Sequence, residues 1–271
     1  MRQIFVNNEL ESAITDNGFV IVKNLIPEQV CEGLNTFFNR HNLPDTPPFN
    51  ITNWTNDIEN RREVYTKVVA ELLPFASTYL LNYKPVMAVY AAKKPGLNSD
   101  MKLHQDWSLV DETKFRSVSI WVALCDMDQH NGNLQVARKS HLYAGFPRGM
   151  HMPVPFENIK EELQQQYLTD LPLSIGDAVI FDHRLVHCSP QNTTDKLRLA
   201  AVMALIPNEA ELIHYYQYFE DEGAIEVLKM KEEAFHLLDF FDVNNKPQHE
   251  KSLGLISAIF KQLERKDLQD Y

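Results

Sequence analysis

The sequence predicts a mainly β protein with flanking helices: one domain, its β core at about residues 86–217, with helices packed at both ends. Three observations predict it. Short β-like apolar runs separated by turns recur at 86–91, 101–106, 117–124, 134–137, 178–185 and 197–206, the rhythm of a sandwich or barrel. Before residue 82 and beyond residue 222 the apolar spacing is helical instead. A chain of 271 residues, 44% of them hydrophobic, is also long and apolar enough for one large β-rich domain.

Taken in order, Gly18-Phe19-Val20-Ile21-Val22 follows an Asn-Gly turn and reads as a strand. Pro27 stands at a helix start, and Val30, Leu34, Phe37 and Phe38 recur behind it at helical spacing. Residues 44–56, with three prolines and three asparagines, read as a loop. Helical periodicity resumes at 59–81 through Val64, Val68, Leu72 and Leu73, and Pro74 is expected to kink or split that helix. Residues 143–170 are poor in strand signal, and so long a connection in a compact domain points to function. That segment and the 93–100 loop are the candidates for a lid. Helical spacing returns at 225–240 and 253–263, where Leu237, Leu238, Phe240 and Phe241 are clustered to pack on the core or on a second subunit.

A net charge of −11 argues against nucleic acid or an anionic membrane as the main partner. No run of 18 apolar residues is present to span a bilayer, and the first residues lack the apolar core of a secretory signal. The three cysteines (Cys31, Cys125, Cys188) are scattered and form no CxxC pair. Reduced thiols in a cytoplasmic protein are therefore expected.

The chemistry concentrates in His104-Gln105-Asp106. Among ten histidines and 37 acidic residues one His-x-Asp is expected by chance, and a lone His104 reads as a satisfied or surface histidine. If residues 101–106 are extended, however, His104 and Asp106 share one face and Gln105 turns away. A second imidazole is available from His183 or His187, four apart on one strand face, and spacing does not choose between them. Two imidazoles and one carboxylate are the ligands of the facial triad that holds non-haem Fe(II) and leaves positions open. Arg198 sits in the apolar run Leu197-Arg198-Leu199-Ala200. Either it grips a carboxylate in a two-bonded fork, or it is a surface residue of an edge strand.

Further segments join this set: His104-Gln105-Asp106-Trp107, Ser119 to Asp128, Asn131-Gly132-Asn133-Leu134-Gln135-Val136, Ser140-His141, Gly176 to Phe181 and His187 to Asn192, closed by Arg198. In order and spacing they resemble the phytanoyl-CoA dioxygenase family of Fe(II)- and 2-oxoglutarate-dependent oxygenases over about residues 16–206. The resemblance implies a double-stranded β-helix, the jelly-roll related to the cupins. It implies that His104, Asp106 and His187 hold iron, His187 being preferred to His183 because it precedes the serine and arginine. Arg198 then pairs with the distal carboxylate of 2-oxoglutarate, Ser189 assists it, and Trp121 lines the co-substrate pocket. Trp107, Arg138 and His183 are the candidates on the substrate side.

The implied reaction consumes O2 and 2-oxoglutarate, releases succinate and CO2, and hydroxylates an unactivated C–H bond of a small molecule. Related halogenases replace the carboxylate ligand with a small residue, so the presence of Asp106 favours hydroxylation. The chain departs from the family where Asn-Gly-Pro-Leu becomes Asn131-Gly132-Asn133-Leu134, and where Pro-Gly-Ser-His becomes Ala137-Arg138-Lys139-Ser140-His141. These turns lie on the substrate side, so a CoA thioester is not carried over with the family. Two alternatives are a catalytically silent jelly-roll that binds a metabolite or metal, and a cupin-like metal isomerase or hydrolase using His183 with His187.

Overall fold

The computed structural model describes residues 2–41, 46–143, 146–149, 152–218, 224–233, 246–247, 251–257, 260 and 262–268. Helices α1 (Asn8–Asn17), α2 (Glu28–His41) and α3 (Ile58–Ala76) alternate with strands β1 (Phe19–Val22) and β2 (Phe49–Ile51). α1 begins because the Asn7 side chain accepts from the Glu9 and Leu10 amides. α3 begins on Asp57, whose carboxylate accepts from the Asn60 amide at 3.0 Å. It runs unbroken to Ala76 with Pro74 inside it. The helix is not split there: Pro74 falls in the last turn, where it removes one amide donor and the helix ends two residues later. The 44–56 segment is also more than a loop, since it contributes β2.

Eight further strands complete two antiparallel sheets: β3 (Tyr83–Lys93), β4 (Met101–His104), β5 (Val118–Ala123), β6 (Leu134–Ala137), β7 (Leu168–Leu171), β8 (Ala178–Asp182), β9 (His187–Ser189) and β10 (Arg198–Pro207). The larger sheet has the order β1-β8-β5-β10-β3-β2 and the smaller β4-β9-β6-β7. Together they form the double-stranded β-helix of a cupin-like jelly-roll.

Alternation along the strands of the larger sheet divides its side chains between two cores. Ile120, Val122, Ile180, Leu199, Ala201 and Met203 face outward and pack with Leu34, Phe38, Val64, Val68 and Leu72 of the helices. Trp121, Ala123, Val179, Phe181 and Ala200 face inward, toward Leu134, Val136 and Leu171 of the smaller sheet. Burial on both faces explains why β5 reads as a nearly continuous apolar run, interrupted at Ser119. The segment after residue 143 makes short helical turns whose Phe156, Ile159 and Leu163 pack with Leu103, Val186 and Cys188.

The expected C-terminal helical flank is replaced in the described residues by a third sheet of β11 (Ile213–Gln217), β12 (Ala224–Lys229) and β13 (Lys251–Ser257). Ile225 and Leu228, three apart as on a helix, are both buried in β12, which pairs with a strand on either side. Pairing here overrides local spacing. Gly254 marks the same outcome in β13: its φ of 116° belongs to a strand irregularity, where the register with β12 shifts. Leu237, Leu238, Phe240 and Phe241 lie outside the described residues. Among the described residues no helix is long and apolar enough to cross a membrane.

One turn holds the helical layer to the larger sheet. Gly176 donates its amide to Ala123 O at 2.9 Å and accepts from the Ile26 amide at 3.1 Å. Its φ of 85° lies in the left-handed region, and a Cβ there would overlap Ile26 O. Gly176→Ala is expected to lower stability by about 2 kcal/mol or more, read as a shifted urea midpoint at unchanged slope.

Candidate metal centre

His104 ends β4 and His187 begins β9, and the two are direct partners in the antiparallel register. Their ring centroids lie 4.2 Å apart. Each ring is turned by its own backbone: His104 Nδ1 bonds Lys102 O at 2.7 Å, and His187 Nδ1 bonds Leu185 O at 2.9 Å. Both Nε2 atoms are thereby left for the cavity. Phe181 packs on the His187 ring at 4.8 Å.

Asp106 reaches the same point by a different route from the one its spacing predicts. β4 stops at His104, so the carboxylate is placed by the irregular segment after the strand. Ser119 of β5 holds it, its hydroxyl donating to Asp106 Oδ2 at 2.9 Å. Asp106 Oδ1 then stands 3.9 Å from His187 Nε2. Ligand atoms of His104, Asp106 and His187 all lie within 4.8 Å of one another. Burial raises the Asp106 carboxyl, but its electrostatic interaction with the neighbouring His183, His187 and His104 rings and the Ser119 hydrogen bond outweigh it and hold the group below its usual range. Burial, reinforced by His187, pushes His104 down to about 4, so its imidazole is neutral at physiological pH. An ionised carboxylate and a neutral imidazole are the protonation states a divalent metal requires.

His183 is buried beside this cluster and outside it. Its Nε2 is 3.0 Å from Ser119 Oγ and 3.8 Å from Asp106 Oδ2, and its Nδ1 is 3.3 Å from Trp107 O. Ser119 thus bridges His183 and Asp106. Gln105 does not turn away: it lines the cavity and donates to Arg184 O. Cys188 is adjacent to His187, but burial pushes its thiol up to about 12, leaving no thiolate to compete as a ligand.

Arg198 begins β10 on the inner face and is 1% exposed, which removes the edge-strand alternative. Its Nη1 donates to Ala91 O at 3.1 Å, its Cζ lies 5.4 Å from the Trp121 ring centre, and its Nε has no partner. Burial pushes the guanidinium down to about 9. A wholly buried guanidinium with an unpaired N–H is matched to an anionic ligand. Ser189 lines the same cavity.

The cavity has a volume of about 380 Å³ and contains His104, Asp106, His187, Arg198, Ser189, Trp121, Trp107 and His183 on its walls. Arg138 is not among them; it is exposed and donates to Asn17 Oδ1 at 2.7 Å. Ser140-His141 are structural: the Ser140 hydroxyl accepts from the Val186 amide at 2.8 Å, and His141 Nε2 bonds Thr15 O at 2.9 Å. Described residues of the two lid candidates do not line the cavity either.

Sequence reading missed Phe49, Asn53 and Trp54, which the 44–56 segment delivers to the cavity, and Ser119, which also lines it. It missed Lys93 as well, beside Arg198 but outside that lining. Ser119 carried a signal, a polar residue at the same alternation as Trp121. Lys93 carried one too, a lysine closing an apolar run. It pairs in register with Arg198, is fully buried, and donates from Nζ to Ser189 O at 2.8 Å and to Pro190 O.

Fold and site together define a class: a cupin-like jelly-roll with a two-histidine, one-carboxylate cluster, the ligand set of non-haem iron sites. The chain belongs to the phytanoyl-CoA dioxygenase family, whose model matches residues 14–200. It is 27% identical over 137 residues to the phytanoyl-CoA dioxygenase domain-containing protein 1 of Danio rerio, covering 48% of this chain and 47% of that protein. It is 26% identical over 131 residues to a phytanoyl-CoA dioxygenase of Arabidopsis thaliana, covering 46% of each. The chain thus spans about half the length of these curated relatives.

Among solved structures, the non-haem alpha-ketoglutarate-dependent carbocyclase SnoK from nogalamycin biosynthesis superposes with a TM-score of 0.55 at 17% identity, covering 76% of this chain and 86% of that one. HygX from Streptomyces hygroscopicus, with nickel, 2-oxoglutarate and hygromycin B bound, gives 0.52 at 15% identity, covering 75% and 88%. At these identities the likeness is one of fold.

Burial first, then the neighbouring Arg198, pushes Lys93 down to about 6. Between that value and the ordinary lysine range the unfolded chain binds the extra proton, so stability from this residue rises with pH and is lost as pH falls toward 6. The slope is at most about 1.4 kcal/mol per pH unit. Lys93→Met is expected to unfold at a higher temperature than the wild type near pH 7, with the gap closing toward pH 9 in thermal melts.

Proposed function

We propose that this chain is an Fe(II)- and 2-oxoglutarate-dependent oxygenase that hydroxylates an unactivated C–H bond of a small molecule. The observation that carries the reading is the meeting of His104, Asp106 and His187 within 4.8 Å in a cavity that also holds a buried arginine with an unpaired N–H. The family supports it, and so does the fold shared with enzymes described as 2-oxoglutarate-dependent.

His104, Asp106 and His187 would hold the iron, and Arg198 with Ser189 would take the far carboxylate of 2-oxoglutarate. Iron with 2-oxoglutarate supplies O2 activation coupled to release of succinate and CO2, and removal of hydrogen from a nearby C–H bond. The chain's part is positional. Lys102 O and Leu185 O fix the two imidazoles, and Ser119 fixes the carboxylate. Arg198 supplies a charge that the Ala91 carbonyl and the Trp121 face orient but do not neutralise. Apolar walls exclude water from the reacting carbon. Asp106 occupies the third ligand position, which favours hydroxylation over halogen transfer.

Anaerobic protein given Fe(II) and 2-oxoglutarate is expected to develop the visible charge-transfer band of a chelated keto-acid, and to form succinate slowly on admission of air. No band at saturating iron and keto-acid, with His104→Ala indistinguishable from wild type, sinks the reading. Arg198→Met is expected to keep the band while weakening 2-oxoglutarate about 30-fold or more, the loss from removing one side of a buried charged pair. Titration of the band against keto-acid concentration measures it. Ser119→Ala leaves the ligands in place but frees Asp106, and is expected to weaken Co(II) binding about tenfold, followed in the visible cobalt spectrum.

A further inference from the structure

We propose that Asn53 is a specificity-determining residue, and that the cavity accepts an uncharged, largely apolar small molecule whose hydroxyl or N–H donates to the Asn53 carboxamide oxygen. The inference rests on the oxygenase reading of the same cavity and names its substrate class.

Asn53 follows β2 in the 44–56 segment and lines the cavity. It is 7% exposed, and its Oδ1 has no hydrogen-bond partner. Its Nδ2 meets only the Met87 thioether at 3.7 Å, a weak acceptor. Native folds satisfy nearly all buried polar atoms, and an open acceptor on a cavity wall is a place for a ligand donor.

The register fixes where that acceptor stands. Along β10, Arg198 pairs with Lys93 and Ala204 with Met87, six residues farther along β3. Ala204 also pairs with Ser119, the residue that holds Asp106. Asn53, in contact with Met87, is therefore nearer the strand level of the His-Asp-His cluster than that of the Arg198 backbone. A molecule bound to Asn53 lies beside the cluster and leaves the arginine end to the co-substrate.

The rest of the wall sets the class. Besides Met87, which Asn53 touches, it includes Trp54, Trp107, Leu109 and Val202. Among the described lining residues Arg198 is the one arginine or lysine and Asp106 the one carboxylate, and both already have a part in the proposed chemistry. Nothing there answers a phosphate or a second carboxylate. At about 380 Å³ the space is also near the lower end for a drug-sized ligand, and the co-substrate shares it. The CoA thioesters suggested by the family's name do not match these walls.

The test uses full-length protein loaded with Ni(II) and 2-oxoglutarate, and thermal shift with calorimetry as readouts. The probes are cyclic and acyclic alcohols, each paired with its methyl ether, the matching carboxylates, and free coenzyme A. Alcohols are expected to raise Tm saturably and to bind about tenfold tighter than their ethers, the worth of one hydrogen bond to a buried acceptor. Asn53→Leu is expected to bring that ratio to about one, while Asn53→Asp, which keeps an acceptor, retains it. Equal binding of alcohol and ether by the wild type overturns the proposal. So does a preference that survives in Asn53→Leu, stronger binding of carboxylates or coenzyme A, or no binding of any alcohol. The keto-acid band, recorded anaerobically on Fe(II)-loaded protein of the same preparation without probe, keeps the two readings apart. A band with failed alcohols ends the substrate class alone; a missing band ends the oxygenase reading and with it the naming of a substrate, leaving any alcohol preference lost in Asn53→Leu as a binding contact only.

Discussion

The antiparallel pairing of β4 with β9 is the constraint on which the site depends. It sets His104 directly across from His187, although 82 residues lie between them in the chain. Neither strand is long: β4 has four residues and β9 three. Their alignment is borrowed from neighbours. β9 pairs on its other side with β6, where Val136 stands opposite His187, and the turn after β6 uses the Ser140 hydroxyl to tie down Val186. The residue before the histidine is thus fixed by a buried hydrogen bond and the residue itself by two strand partners. A cluster assembled this way is rigid because its backbone is, not because its side chains are crowded.

The larger sheet does complementary work. Its strands are apolar on both faces, so one face can carry the helices while the other walls the cavity. Charge enters that inner face at one end only, where Arg198 and Lys93 pair across β10 and β3. Two adjacent buried cations repel, and the fold answers asymmetrically. Lys93 gives up its proton readily and spends its hydrogens on the Ser189 and Pro190 carbonyls. Arg198 keeps its charge, since burial lowers it only to about 9. One strong positive site remains at the closed end of an otherwise apolar space, which is what a dicarboxylate co-substrate with one end on a metal calls for.

How much of this the sequence displayed depends on the kind of order involved. Strands buried on both faces, such as β5, β8 and β10, were legible as apolar runs, and the alternation around Arg198 was visible without its facing. The pairing of His187 rather than His183 was not legible from spacing, because two residues four apart share a face on any strand. The structure separates them by element: His183 follows the end of β8 and turns to Ser119, while His187 opens β9. The same local rule misplaced Asp106, which reaches the cluster from beyond the strand end. Helical spacing at Ile225 and Leu228 misled for a related reason, since pairing on both sides of β12 outweighs the period of its apolar residues.

Asn53 and Ser119 show why polar residues in such a space repay attention. Each is buried and faces inward, yet one is fully occupied and the other open. Ser119 lies between a carboxylate and an imidazole, donating to the first at 2.9 Å and meeting the second at 3.0 Å. Its one hydrogen goes to Asp106, so it has no donor left for a ligand and its effect passes through Asp106. Asn53 has a thioether on its nitrogen and nothing on its oxygen. Stability alone gives no reason to keep a carboxamide there, because an apolar residue of similar size would fill the space without an unpaired acceptor. Retaining the amide makes sense when the missing partner arrives with the bound molecule, and the apolar walls around it strengthen that one contact by excluding water.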